Sequence, residues 1–168
     1  VGGGTPSLLA PHLWEQLLSR LASSYDLSSL SEFTVECNPE TVTPDLGAVL
    51  AAGGVTRVSM GAQSFDREHL KTLERWHDPD KVPEALHIAR GAGIPRASLD
   101  LIFGIPGQSV ADWERDVQAA LSLGLSHLSY YNLTYEPGTA MTARLSRGQV
   151  TPAPEDDEVE MFRRTPAL

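Results

Sequence analysis

Short apolar runs alternate with helix-length amphipathic stretches along almost the whole of this chain, and that alternation restricts the folds open to it. Pro11 suits a helix first turn, and Leu13, Trp14, Leu17, Leu18 and Leu21 then recur at helical spacing to near Ser23. From Phe33 to Cys37 apolar and polar side chains alternate with the period of a strand, closed by Asn38-Pro39. Thr43 as N-cap and Pro44 at the first helical position open a helix that carries Leu46, Val49 and Leu50 and stops at Gly53-Gly54. A second strand is expected from Val55 to Met60, then a short helical stretch from Glu68 to Leu73. A longer helix carries Val82, Ala85, Leu86 and Ala89 and ends at Gly91 or Gly93. Leu99 to Phe103 is read as a third strand, in which Leu101-Ile102-Phe103 is nearly continuous in apolar character, as in a strand covered on both faces. Ser109 caps a helix ending at Gly124, and His127 to Asn132 is read as a fourth strand.

Strands that alternate with helices in this way are joined in parallel by right-handed crossovers, so the fold class is α/β, an open layer or a partial (β/α) barrel. Val1 reads as the last residue of another strand. The chain opens without Met and closes on Arg163 to Leu168 as a helical pattern begins, so both ends read as cut, with a first strand and a C-terminal part missing. Residues 1–148 are expected to form the barrel portion as one domain, and residues 149–168 a Pro-rich, acidic connection leading into a further helix.

With 168 residues, 41% of them hydrophobic, the chain is long enough for a real core. Its 13 Lys and Arg against 22 Asp and Glu give a formal charge of −9, opposite to the basic footprint that nucleic-acid binding requires. No stretch approaches the apolar length of a membrane span and no signal segment opens the chain, so it reads as soluble and cytoplasmic, with no integral membrane part. The single Cys37 excludes an internal disulfide and any cysteine-based metal site built by this chain alone. His12, His69, His77, His87 and His127 show no metal-binding spacing, so none is assigned to a metal.

Parallel α/β folds bind ligands at the carboxyl ends of their strands. Read in order, those ends carry Gly2-Gly3-Gly4-Thr5, Glu36 with Asn38, Gly61 and Gln63, Asp100 before Gly104, and Asn132 to Thr134. The glycine run serves either close backbone approach to a ligand or a tight strand-to-helix turn. It matches neither a P-loop nor a dinucleotide fingerprint. Glu36 and Asp100 sit in or beside apolar strand sequence, where an ionised carboxylate needs partners. Sugar hydroxyls or an amine of a ligand would serve, as would a structural ion pair with Arg57, Arg75 or Arg96, and an acid–base pair in a cluster-free enzyme remains a third option. Cys37 points to the opposite face from Glu36 and is expected to be a buried, inert thiol. Trp76 and Trp113 are expected to be packing residues, and Glu155 to Glu160 a solvated connection.

The segments GGGTPS (Gly2 to Ser7), ECNPET (Glu36 to Thr41), VSMGAQSF (Val58 to Phe65), LERWH (Leu73 to His77), DLIFGIPGQS (Asp100 to Ser109) and HLSYYNLTYEPGT (His127 to Thr139) lie in one order. Together they resemble the radical S-adenosylmethionine (SAM) coproporphyrinogen III dehydrogenase-like family, from the start of the chain to about Phe162. The resemblance implies a partial barrel of βα units and a 4Fe-4S cluster that splits SAM into methionine and a 5'-deoxyadenosyl radical. It further implies that Gly3, Gly4 and Thr5 meet the methionyl part of SAM, that Arg75 pairs with its carboxylate, and that Glu36, Gln63 and Asp100 contact ribose hydroxyls and the amine. Thr134 would lie near the adenosyl group. The cysteine triplet that holds the family's cluster falls upstream of the glycine motif, so the cluster ligands are expected outside this chain and the chain alone is expected to be inactive. Glu74, where many relatives carry Gly, and Ala62, where many carry Val, depart from the pattern. One branch of the family decarboxylates coproporphyrinogen III in porphyrin biosynthesis, and the other binds haem and passes it to an acceptor protein. ECNP and AQSF resemble the haem-chaperone branch.

Overall fold

The computed structural model describes residues 1–125 and 127–167. Four parallel strands form one sheet in the order β1-β2-β3-β4, with β1 Thr34–Cys37, β2 Arg57–Gln63, β3 Arg96–Phe103 and β4 His127–Asn132. Helical crossovers connect them, as the alternation predicts: α2 Pro44–Ala52 between β1 and β2, α3 Arg67–Thr72 and α4 Lys81–Gly91 between β2 and β3, and α5 Val110–Ser122 between β3 and β4. Before the sheet comes α1 Pro11–Ser24, and after it α6 Ala140–Ser146 and α7 Glu155–Arg164. Among the described residues no helix is long and apolar enough to cross a membrane.

The described residues pack as two compact units. The first comprises Val1–Ala62, Asp80–Leu99 and Leu125–His127. Its strands pair in a register that sets Val35 beside Val58 and Cys37 beside Met60, so one face of both strands is buried together while Glu36 and Ser59 turn the other way. Leu46 and Leu50 of α2 and Val82, Ala85 and Leu86 of α4 close over the core. Each fully buried aliphatic side chain of this size contributes about 1.5–3 kcal/mol relative to exposure. Close packing of α1 and α2 depends on Gly53, where a Cβ would stand 2.4 Å from Leu18 Cδ1. Val1 is bonded as a strand residue: its amino group donates to the Thr34 carbonyl (2.5 Å) and its carbonyl accepts from Glu36 N–H (3.0 Å).

The second unit comprises Gln63–Pro79, Asp100–Gly124 and Leu128–Leu168 as grouped by packing. Here α5 begins with a capping box between Ser109 and Asp112 and buries Trp113, Val117 and Ala120. Against it lies α7, whose Met161 is fully buried. The Trp113 indole N–H is shared between the Met161 carbonyl (3.2 Å) and Thr165 Oγ1 (2.9 Å). Phe103, Trp113, Tyr130 and Phe162 pack with tilted rings, their centroids 5.5–6.5 Å apart.

Several elements differ from the expectation. The strand β2 runs on past Met60 to Gln63, because Ala62 continues the buried phase beyond Gly61. At the other end of the crossover, β3 starts at Arg96 rather than Leu99; Ser98 is buried, and its hydroxyl donates to Ser59 Oγ (2.9 Å) and accepts from Arg57 (3.2 Å), so a polar residue occupies an interior strand position. Glu155 to Glu160, none of them buried, form the opening turns of α7 rather than a connection, and their acidic side chains favour the positive end of the helix dipole. Nor is Trp76 a packing residue: it follows α3 outside regular structure and is 79% exposed. Trp113, by contrast, is fully buried as expected.

Candidate functional site

In the first unit the loop after Val1 is built around Glu36, which stands exposed near the end of β1. Gly3 N–H donates to Glu36 Oε2 at 3.1 Å. A Cβ at Gly2 would come within 2.6 Å of the same carboxylate, so a side chain there would push the exposed end of Glu36 aside. Gly3 and Gly4 both take left-handed backbone angles, with φ of 91° and 72°, and a Cβ on either would meet nothing within 4 Å. The loop therefore presents bare backbone to open space, which is what a ligand held through main-chain groups requires. Thr5, half-buried, leads into a 3-10 turn over Pro6–Leu8. Ser7 then ties this loop to the next strand end, its Oγ lying 2.5 Å from Thr41 Oγ1 and accepting from Asn38 N–H at 2.9 Å. A groove of about 460 Å³ runs along the loop, with Gly2, Gly3 and Thr5 among its polar lining and Leu8, Leu9 and Trp14 among its apolar lining.

Two of the three arginines considered as partners for the strand-end carboxylates are engaged elsewhere. Arg57 and Arg96 both pair with Glu32, at 3.0 and 3.4 Å. The Cys37 thiol, buried among apolar side chains and beside the negative Glu36, is pushed up to about 12 and stays protonated. That is the inert thiol the sequence implies.

In the second unit Gln63 ends β2 with φ of 64°, a left-handed conformation that costs a non-glycine residue about 1–3 kcal/mol and concentrates at functional sites. Asp100 lies half-buried within β3, where it has interaction partners. Arg75 is exposed immediately after α3. The helix closes in a Schellman turn, with Arg75 N–H bonded to the Leu70 carbonyl (2.8 Å), Glu74 N–H to that of Lys71 (3.1 Å), and Glu74 at φ 57°. Thr134 is exposed past β4, its hydroxyl donating to the Asn132 carbonyl at 3.4 Å. Gly104, just after β3, admits Asn132 and Glu158 where a Cβ would stand 2.5 Å from Asn132 Oδ1 and 2.9 Å from Glu158 Oε1. Asn132 Nδ2 donates to Glu158 Oε2 at 3.0 Å.

Sequence reading missed a buried carboxylate behind these loops. Asp116 of α5 accepts from Ser64 Oγ (2.7 Å), Phe65 N–H (2.7 Å) and Gln108 Nε2 (3.4 Å). Burial pushes its carboxyl above the ordinary aspartate range, against the lowering effect of the Ser64 and Phe65 bonds. The one available signal was its position, an acidic residue between Trp113 and Val117 on the core-facing side of a helix. Among the described residues no group of three or more His, Cys, Asp and Glu could hold a metal ion.

The sequence is 42% identical over 157 residues to the heme chaperone HemW of Mycobacterium tuberculosis, covering 94% of this chain and 40% of that one. It is 40% identical over 144 residues to the Escherichia coli heme chaperone HemW, covering 86% and 38%. Among solved structures, coproporphyrinogen III oxidase (HemN) from Escherichia coli, described as a radical SAM enzyme, superposes with a TM-score of 0.85 at 25% identity, over 99% of this chain and 38% of that one. The chain thus spans about 40% of the length of the curated relatives it matches. The open backbone over Gly3 and Gly4 leaves room for a ligand held through main-chain groups. The pattern of the radical SAM superfamily matches residues 1–120, and the chain belongs to that superfamily.

Proposed function

We propose that the whole protein to which these residues belong binds SAM and a 4Fe-4S cluster and serves as a haem chaperone in the cytoplasm. The observation that carries this reading is the 42% identity to a heme chaperone over 94% of the chain. An unpaired, protonated Cys37 suits a reducing compartment. When bound, the reduced cluster would supply the electron that cleaves SAM; its ligands are assigned to residues outside this chain.

The task of this chain is to bind and orient. Gly3, Gly4 and Thr5 would hold the methionyl part of SAM through backbone groups, a role supported by the open space over both glycines. Glu36 is exposed, with one oxygen already receiving the Gly3 N–H, so its remaining acceptor sites are available to an amine or hydroxyl. In the second unit Arg75 would pair with the SAM carboxylate, Gln63 and Asp100 would bond ribose hydroxyls or the amine, and Thr134 would contact the adenosyl group. Arg75→Ala in the whole protein is expected to weaken SAM binding about 10- to 100-fold, the loss of one charge-assisted contact. Calorimetric titration with SAM tests this, and an unchanged Kd would remove Arg75 from the site.

A second reading, oxygen-independent coproporphyrinogen III dehydrogenase, is favoured by the likeness to the HemN structure. One experiment separates the two. The cluster-loaded whole protein is titrated with haem and, separately, incubated anaerobically with coproporphyrinogen III, SAM and reductant. Stoichiometric haem binding that passes to an acceptor protein, without vinyl product, supports the chaperone; turnover of the propionates to vinyls would replace it with the dehydrogenase.

A further inference from the structure

Asp116 has no place in the roles assigned so far, yet it is only 3% exposed and its carboxylate accepts three hydrogen bonds from groups on two loops. One loop follows β2. Ser64 Oγ donates to Asp116 Oδ2 and itself accepts from Asp66 N–H (3.0 Å), while Phe65 N–H donates to Asp116 Oδ1. The other loop follows β3, where Gln108 donates to Asp116 through Nε2 and accepts from Ile105 N–H through Oε1 (3.3 Å). Gln63 immediately precedes the first loop and holds a left-handed backbone. A non-glycine residue persists in that conformation only when its surroundings over-determine it. Gln63 is the last residue of β2, and its next two residues are both fastened to one buried carboxylate.

We propose that Asp116 is a positioning residue for SAM binding, acting through Gln63: by anchoring Ser64 and Phe65 it locks the turn that aims the Gln63 side chain. The proposal rests on the reading of Gln63 as a SAM contact. A purely structural Asp116 would instead support the fold without any energetic link to Gln63.

A double-mutant cycle distinguishes the two. The cluster-loaded whole protein is prepared as wild type, Gln63→Ala, Asp116→Ala and the double variant, together with Asp116→Asn, and the SAM Kd of each is measured by calorimetry. Gln63→Ala and Asp116→Ala are each expected to raise Kd about three- to tenfold, with the double variant no weaker than the weaker single one. Asp116→Asn keeps an acceptor for Phe65 N–H and a partner for Ser64, and is expected to recover most of the affinity. Amide exchange supplies a readout independent of SAM: Phe65 N–H exchanges faster in Asp116→Ala, while the α5 amides around Val117 keep their protection.

Factors that multiply in the double variant, or a Kd unmoved by Asp116→Ala when Gln63→Ala weakens binding, would overturn the positioning role and leave the SAM reading intact. An unchanged Kd in Gln63→Ala would instead remove Gln63 from the site, and the proposal with it. Should Asp116→Ala lose its cooperative melt, Ser64→Ala takes its place in the cycle, with the same expected non-additivity and the same overturning result.

Discussion

Glu74 occupies the position that ends a Schellman turn, with φ of 57°, where a side chain meets its own backbone and glycine does not. Its ion pair to Arg144, at a long 3.8 Å and with both side chains partly exposed, adds little. Glu74→Gly is therefore expected to stabilise the protein by about 0.5–1 kcal/mol, raising Tm by roughly 2–4 °C, even though glycine loses more backbone entropy on folding. A thermal melt decides it, and a lower Tm would mean that the Arg144 pair outweighs the strain. The departure from glycine at this position was legible in the sequence; its cost was not, because a φ value depends on how the helix ends. Cys37 gives a second test at this scale. With its thiol near 12, the thiolate fraction at pH 8 is on the order of one in ten thousand. A disulfide reagent should leave Cys37 unlabelled in the folded state and label it at the rate of global unfolding. Rapid native labelling would show that the strand β1 opens locally.

At the scale of elements, α5 carries the most explicit terminus. Ser109 and Asp112 each satisfy the other's backbone N–H, and the bonds from Ser109 hold the Asp112 carboxyl below its ordinary 3.8. A depressed folded pKa means that the stabilisation is complete above 3.8 and is lost as pH falls through the lower folded value. Asp112→Ala should consequently melt lower than wild type at pH 7, by an amount equivalent to roughly 1 kcal/mol. That deficit should hold as pH drops to about 3.8 and then shrink and vanish as pH falls through the folded pKa. Melts across that range check it, and a deficit independent of pH would assign the loss to packing instead. The capping box was readable because its partners are three residues apart. So was α2, whose Pro44 start and Gly53 stop are local signals. The start of β3 was hidden because Ser98 is interior only by virtue of Ser59 and Arg57, which lie far away in sequence. The same holds around the candidate site: the strand-end positions of Gly3, Glu36 and Gln63 follow from the topology, but the anchoring carboxylate of Asp116 is defined by partners 51 and 52 residues distant.

For the whole molecule the consequential feature is the side of the sheet at Val1. The bonds of Val1 to Thr34 and Glu36 are those of a parallel ladder, and Val1 itself is 45% exposed. Nearby, α1 turns Leu13 outward beside a groove of about 710 Å³ lined by Leu9 and Leu17 among others. An apolar helix face turned outward is what a further layer covers. Relatives more than twice as long as the matched segment have residues to provide one. Leu13→Glu discriminates between a covered and an uncovered face. In residues 1–168 alone Leu13 already meets solvent, so the substitution should change stability by less than about 0.5 kcal/mol. In the whole protein the same change would force an ionised carboxylate into an apolar contact and should cost more than about 2 kcal/mol. Denaturant melts of both lengths, with and without the substitution, measure the difference. If Leu13→Glu is harmless at both lengths, that face of α1 stays in water in the whole protein. A cost confined to the longer one shows that this face of α1 continues the core, and that the layer carrying Gly3, Gly4 and Glu36 is held in place partly by residues outside 1–168.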